Sequence, residues 1–216
     1  MSELTYTLVS DGSSDTALMP ILEWLLKANG LVCAIQGEWA DLRRLRRAPA
    51  SLDTRIATAV ELFPCELLFI HRDAETEPYD VRQNEVRQAV TAALGANQQP
   101  SWLAVIPVRM HEAWLLFDEN AIRRAAGNPS GRVPLYLPKL GDCEALPDPK
   151  DVLHELIREA SELGARRRAK LRVGQMALRV AEYIRDFAPL RALTAFAALE
   201  GELQAAIGAN GWDHRQ

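Results

Sequence analysis

The chain has 216 residues, with 48% hydrophobic and 25% charged side chains, which suits one large domain or a domain with a small helical appendage and excludes a disordered tail or a collagen-like fibre. A net charge of −4 argues against a general nucleic-acid coat, and no apolar stretch approaches the ~20 residues needed to span a bilayer. No signal peptide is visible at the start, and Cys33, Cys65 and Cys143 form no C-x-x-C pair, so reduced thiols in a cytoplasm are expected rather than a zinc ribbon.

Thr5 to Ser10 is β-branched and aromatic and stops at Asp11-Gly12-Ser13-Ser14, which predicts a strand ending in a turn. Asp15 reads as the N-cap of a helix in which Leu18, Ile21, Leu22, Leu25 and Leu26 recur at helical spacing up to Asn29-Gly30, with Pro20 placing the regular start near Met19. Leu31 to Ile35 predicts a short second strand. Residues 36–49 are irregular, and Ser51 caps a helix through Phe63. Glu66 to Ile70 is a continuous apolar run, as expected of a strand buried on both faces of a parallel sheet. A helix follows from about Asp80 to Leu94, then a buried strand from Trp102 to Val108, then a helical stretch from Ala113 to Ala126. This alternation predicts an α/β fold, a mostly parallel sheet flanked by helices over residues 1–126. Residues 127–150, rich in Pro and Gly, read as an irregular connection. Residues 151–216 read as a helical C-terminal part packed on the core, with helices over Val152–Leu163, Val173–Phe187 and Leu190–Ile207.

Three predicted strands end in acids: Asp11 after the first, Asp73 and Glu75 after the third, and Glu112 after the fourth. In an open parallel sheet the carboxyl ends of the strands share one edge, where ligands bind. Carboxylates gathered there repel one another, so a positive partner is expected, and Mg2+ or Mn2+ suits carboxylate oxygens. Asp15 is read as a cap rather than a ligand. His71 and His111 occupy matching places, accompanied by Arg72 and Arg109; each histidine is either a proton shuttle, a metal ligand or a hydrogen-bonded structural residue. The arginines either hold a phosphate or neutralise the acids.

Several familiar motifs fail. His71-Arg72-Asp73 copies the catalytic triplet of protein kinases, but Pro78 stands where that loop needs asparagine. No P-loop, dinucleotide fingerprint or G-x-S-x-G elbow is present.

Leu8-Val9-Ser10-Asp11-Gly12-Ser13-Ser14-Asp15, Phe69-Ile70-His71-Arg72-Asp73-Ala74-Glu75 and Pro107-Val108-Arg109-Met110-His111-Glu112-Ala113-Trp114-Leu115-Leu116-Phe117-Asp118 together resemble a Toprim-like bacterial family of unknown function, related in fold to OLD-family nucleases and to topoisomerase and primase catalytic domains. The stretch Phe187-Ala-Pro-Leu-Arg191 resembles its helical C-terminal half. The resemblance implies a Toprim-like core, a general acid/base glutamate after the first strand and an Asp-x-Asp metal pair after a later one. Asp11 fills the first place; Asp73 and Glu75 fill the second. Both departures keep the charge and change the reach by a methylene, which bears on catalysis at Asp11 more than on metal binding, and Glu112 is a candidate for the missing carboxylate. The implied catalytic residues are therefore Asp11, Glu112 and His111, and the implied metal ligands Asp73, Glu75 and Asp11. The implied chemistry is metal-assisted phosphodiester cleavage, with a role in phage defence and a defence-system partner protein.

All but four of the 25 basic residues are arginines, and two clusters stand out: Arg43, Arg44, Arg46 and Arg47, and Arg166, Arg167, Arg168, Lys170 and Arg172. A phosphate backbone and a solvated face are the alternative readings of these runs, and arginine codon bias is an alternative source of the excess. With aromatics at 6%, a base-stacking platform is not indicated. Three functions follow: a Mg2+- or Mn2+-dependent nuclease, an inactive Toprim-like module that binds DNA, RNA or a partner protein, and a small-molecule phosphohydrolase.

Overall fold

A computed structural model describes residues 3–95 and 99–214. Four parallel strands form one sheet in the order β2-β1-β3-β4: β1 Glu3–Val9, β2 Ala34–Trp39, β3 Leu67–His71 and β4 Ser101–Val105. Every residue of β3 is buried, as its unbroken apolar run requires for a strand covered on both faces.

Side-chain alternation divides the interior in two. Leu4, Tyr6 and Leu8 of β1 and Leu67 and Phe69 of β3 face one apolar cluster, which continues without a break through α1 (Leu18–Ala28) into the C-terminal helices. Leu68 and Ile70 of β3, with Val9, face the other cluster, covered by α2 (Leu52–Leu62) and α3 (Tyr79–Leu94). The C-terminal helices are α4 Glu119–Ala125, α5 Pro149–Ala160, α6 Ala165–Arg168, α7 Val173–Tyr183 and α8 Thr194–Asn210. Between α4 and α5 the only regular element is a 3-10 turn, Leu140–Ala145. Its Glu144 carboxylate accepts the N–H groups of Thr194 and Ala195 at 3.1 and 3.0 Å, satisfying donors at the start of α8.

Four predicted elements are corrected. The second strand is Ala34–Trp39 rather than Leu31–Ile35. Leu31 and Cys33 are core anchors of the connection, whereas the edge strand itself carries exposed Gln36, Gly37 and Glu38. The fourth strand stops at Val105. The helix expected over Ala113–Ala126 is instead a buried 3-10 turn, His111–Leu115, followed by α4, because Asp118 accepts the Ala121 N–H at 2.9 Å and starts a new helix. Gly208 lies inside α8, whose stop is Gly211 in the left-handed region at φ 66°.

Candidate metal-binding site at the carboxyl edge of the sheet

From β1 the chain passes to β2 on one side and then to β3 and β4 on the other. The carboxyl ends of β1 and β3 therefore flank a topological switch point, where an open α/β sheet leaves a crevice. Each flanking loop is locally fixed. After β3 the parallel ladder continues as loop pairing: Arg72 N–H donates to the Val105 carbonyl at 3.1 Å, Ala74 N–H to Pro107 at 3.0 Å and Glu75 N–H to Arg109 at 3.0 Å. Glu75 and Arg109 both adopt left-handed backbone, φ 54° and 63°, a conformation that costs a non-glycine residue roughly 1 kcal/mol. After β1, a 3-10 turn spans Ser13–Ala17. Asp15 is not its N-cap but its third residue, and its Oδ2 accepts the Gly12 N–H at 2.8 Å while Oδ1 accepts the Ser14 hydroxyl at 3.1 Å.

These loops bring Asp15, His71 and His111 together, all buried, with one ligand atom from each within 4.8 Å of the others. Such a cluster can hold a metal ion. Asp73 borders it, its Oδ1 accepting the His111 backbone N–H at 3.0 Å and lying 3.4 Å from His71 Nε2. The Val105 carbonyl sits 3.0 Å from His71 Nδ1; a carbonyl only accepts, so Nδ1 is the donor there and Nε2 is the nitrogen turned to Asp73. Among the described residues His111 Nδ1 has no hydrogen-bond partner. It faces three carboxylates, at 3.8 Å from Asp15, 4.0 Å from Asp73 and 3.7 Å from Glu112. Burial holds the His111 imidazole below its usual pKa, opposed by the nearby Glu112, and burial raises the Asp73 carboxyl.

Beside the cluster lies a polar cavity of about 310 Å³. Arg72 and Arg82 line it, and each keeps a buried Nε–H without a partner. Their other nitrogens meet acids: Arg72 reaches Glu85 at 3.1 Å, and Arg82 reaches Glu85 at 2.8 Å and Glu75 at 3.3 Å.

The structure distributes the sequence-derived candidates unevenly. His111 is in the cluster and Asp73 beside it. Asp11 is outside the cluster but lines the same cavity, half-exposed, its two carboxylate oxygens accepting from Arg55 and Arg72. Glu75 is 65% exposed and pairs with Arg82. Glu112 is buried behind His111 and pairs with Lys150 of α5 at 3.4 Å. Arg72 lines the cavity, whereas Arg109 enters through its backbone carbonyl. Arg166, Arg167 and Arg168 form α6, wholly on the surface. Arg43 stacks over Trp39 at 5.0 Å and lines a groove shared with Asp11 and Arg55.

Residues absent from the sequence reading are Asp15 as a cluster member, Arg55, Arg82 and Lys150. Lys150 and His154 of α5, with Ala177 and Leu178 of α7, close a smaller cavity of about 70 Å³ against His111 and Glu112. The C-terminal helices thus contribute directly to the surroundings of the cluster. Among the described residues no helix is long and apolar enough to cross a membrane, and all three cysteines are free thiols.

No protein-family model matches the chain, and no curated protein or solved structure matches it.

Proposed function

We propose that this chain is a divalent-metal-dependent phosphoryl-transfer enzyme with a Toprim-like core, cleaving phosphodiester bonds in nucleic acid. The observation that carries the reading is the buried, unpartnered His111 Nδ1, which faces Asp15 and Asp73 at a switch-point crevice lined by Arg72 and Arg82. A cation there would offset the buried acids, and the guanidinium groups of the two arginines would engage the non-bridging oxygens of an anionic substrate. Arg43, stacked on Trp39, and Arg55 extend the basic surface away from the crevice, as a polyanionic backbone would need.

Within this reading His111 and His71 are ligands rather than proton carriers. Glu112, paired with Lys150, adds a third carboxylate facing His111 Nδ1. A bound divalent ion supplies a Lewis acid and a water of lowered pKa. Asp11, engaged by two arginines, is replaced at those arginines by the incoming phosphate. A cytoplasmic setting suits the free thiols, and a defence role with a partner protein rests on the family resemblance alone.

A specific observation favours a second reading, an inactive module that binds nucleic acid: the candidate acid/base Asp11 is engaged by Arg55 and Arg72 instead of facing the cluster. One experiment separates the two. Metal-stripped protein, resupplied with Mn2+, is assayed on single- and double-stranded DNA and RNA beside an Asp15→Asn, Asp73→Asn double variant. Cleavage lost in the variant supports the enzyme; nucleic-acid binding without cleavage supports the module; cleavage that survives the double substitution removes the proposed site.

A further inference from the structure

Gathered carboxylates suit Mg2+ or Mn2+, but the donors at the cluster do not match Mg2+. Mg2+ demands six oxygens in near-ideal octahedral geometry and keeps much of its hydration. Here two of the three clustered side chains are imidazoles, and both nitrogens are prepared to act as lone-pair donors. His71 Nδ1 is committed to the Val105 carbonyl at 3.0 Å, which fixes Nε2 as the free nitrogen. This backbone partner to the second ring nitrogen is the arrangement that orients metal-bound histidines. Among the described residues, His111 Nδ1 is buried and unpartnered.

The spacings point the same way. Hydrogen bonds would bring these heavy atoms to about 2.7–3.2 Å. The His71–Asp73, His111–Asp15 and His111–Asp73 separations are 3.4, 3.8 and 4.0 Å. Ligands held about 2.0–2.2 Å from one ion stand about 2.8–3.6 Å apart, by simple geometry, between a right and a tetrahedral angle. The side chains are therefore too far apart to hydrogen-bond one another; the His71–Asp73 pair is at ligand spacing, and the two His111 pairs stand a few tenths of an ångström beyond it.

We infer that Asp15, His71 and His111, with Asp73 alongside, form a mixed nitrogen–oxygen centre that selects a first-row transition dication such as Mn2+ or Zn2+ against Mg2+ and leaves a coordination position open toward the arginine-lined cavity. This deepens the proposed function by naming the metal class of that same site. Imidazole donors favour Zn2+, Fe2+ and related ions, and affinity rises from Mn2+ toward Zn2+ along the divalent series. The openness follows from placement. The donors come from the turn after β1, the last residue of β3 and the turn after β4, while Asp15, His71 and Asp73 line the 310 Å³ cavity. A catalytic metal site keeps such a position; a structural one is closed.

The test uses the full chain, stripped of metal. Titration with MnCl2 and MgCl2, followed by calorimetry, is expected to show one Mn2+ site at least 100-fold tighter than any Mg2+ binding, with ZnCl2 competing Mn2+ away. Pulsed electron paramagnetic resonance of the Mn2+ complex reads the ligands directly in the unmutated protein and is expected to show nitrogen couplings, reduced in His71→Gln. Mg2+ binding as tight as Mn2+, or bound Mn2+ without nitrogen couplings, overturns the inference. Failure to bind any ion overturns the inference and the proposed function together. Selective, nitrogen-coupled Mn2+ binding without cleavage of any nucleic acid upholds the inference and removes the proposed enzyme activity alone.

Discussion

Asp11→Asn separates two roles for the acid after β1. A general acid/base would be lost with this substitution; an anion that occupies the arginines until substrate arrives would not. Asp11 is 46% exposed, and its partners Arg55 and Arg72 are 26% and 24% exposed, so each ion pair contributes less than about 1 kcal/mol and the variant loses about 1 kcal/mol of stability in total. That corresponds to a fall of about 2–4 °C in melting temperature for a domain of this size. Affinity moves the other way. A phosphate seated against Arg72 would stand about 6 Å from the Asp11 carboxylate, where removing one negative charge relieves about 0.7–3 kcal/mol for effective dielectric constants of about 80 down to 20. Binding should then tighten roughly 3- to 100-fold, most at low salt. The assay is fluorescence anisotropy of a labelled oligonucleotide at two ionic strengths, run beside a cleavage time course with Mn2+. Unchanged or weaker binding, together with complete loss of cleavage and intact metal binding, would refute the gate and restore Asp11 as the acid/base.

Other substitutions test the framework around the site. Gly37→Ala puts a methyl 2.2 Å from the Tyr6 ring, and that ring is held edge-on against Phe69 at 5.4 Å, so a loss of about 2–3 kcal/mol is expected by thermal unfolding; a loss under about 0.5 kcal/mol would mean that Tyr6 moves freely. Glu144→Ala removes the acceptor of two N–H groups at the start of α8 and should cost about 1–2 kcal/mol; an unchanged denaturation midpoint counts against that cap. Charge reversal at Arg166, Arg167 and Arg168, all on the surface of α6, tests whether that cluster meets a phosphate backbone: weaker binding with a flatter salt dependence places it there, and an unchanged slope assigns it to solvent. Arg191 beside Glu200, with Asn29, holds the Glu200 carboxyl below the usual range. Its contribution is therefore present above the unfolded pKa of about 4.3 and lost as pH falls through the lower folded value. Glu200→Gln should destabilise at pH 7 and narrow its gap to the unmutated protein below pH 4; a gap independent of pH would assign the effect to packing.

What was legible in the sequence follows from how much each element depends on its own side chains. β3 and α1 announce themselves because each buries the residues that define it: Leu67 to Ile70 are fully buried, as are Leu18, Ile21, Leu22, Leu25 and Leu26. β2 does not, because an edge strand is specified by pairing with β1. The close approach of Gly37 to Tyr6 matters more there than apolar content, which lies upstream in Leu31 and Cys33. The short α6 was illegible for a related reason. Its three arginines follow one alanine and bury nothing, so no periodic signal exists to read.

The site divides along the same line. Strand ends followed by acids locate the carboxyl edge, because parallel topology leaves those loops nowhere else to converge. Which acid turns inward is decided by backbone geometry that composition does not carry. Asp11 and Asp15 are four residues apart on one loop. The 3-10 turn, fixed by the bond from the Gly12 N–H to Asp15 Oδ2, buries Asp15 beside His111 and leaves Asp11 to the arginines of α2 and the β3 loop. The same geometry changes the chemistry expected of the edge. With Asp11 and Glu75 turned to arginines, the buried groups that could hold an ion are one carboxylate and two imidazoles, Asp15, His71 and His111. A reading by charge alone gives a hard, all-oxygen site; one that includes the turn gives a mixed site, whose metal preference distinguishes the two.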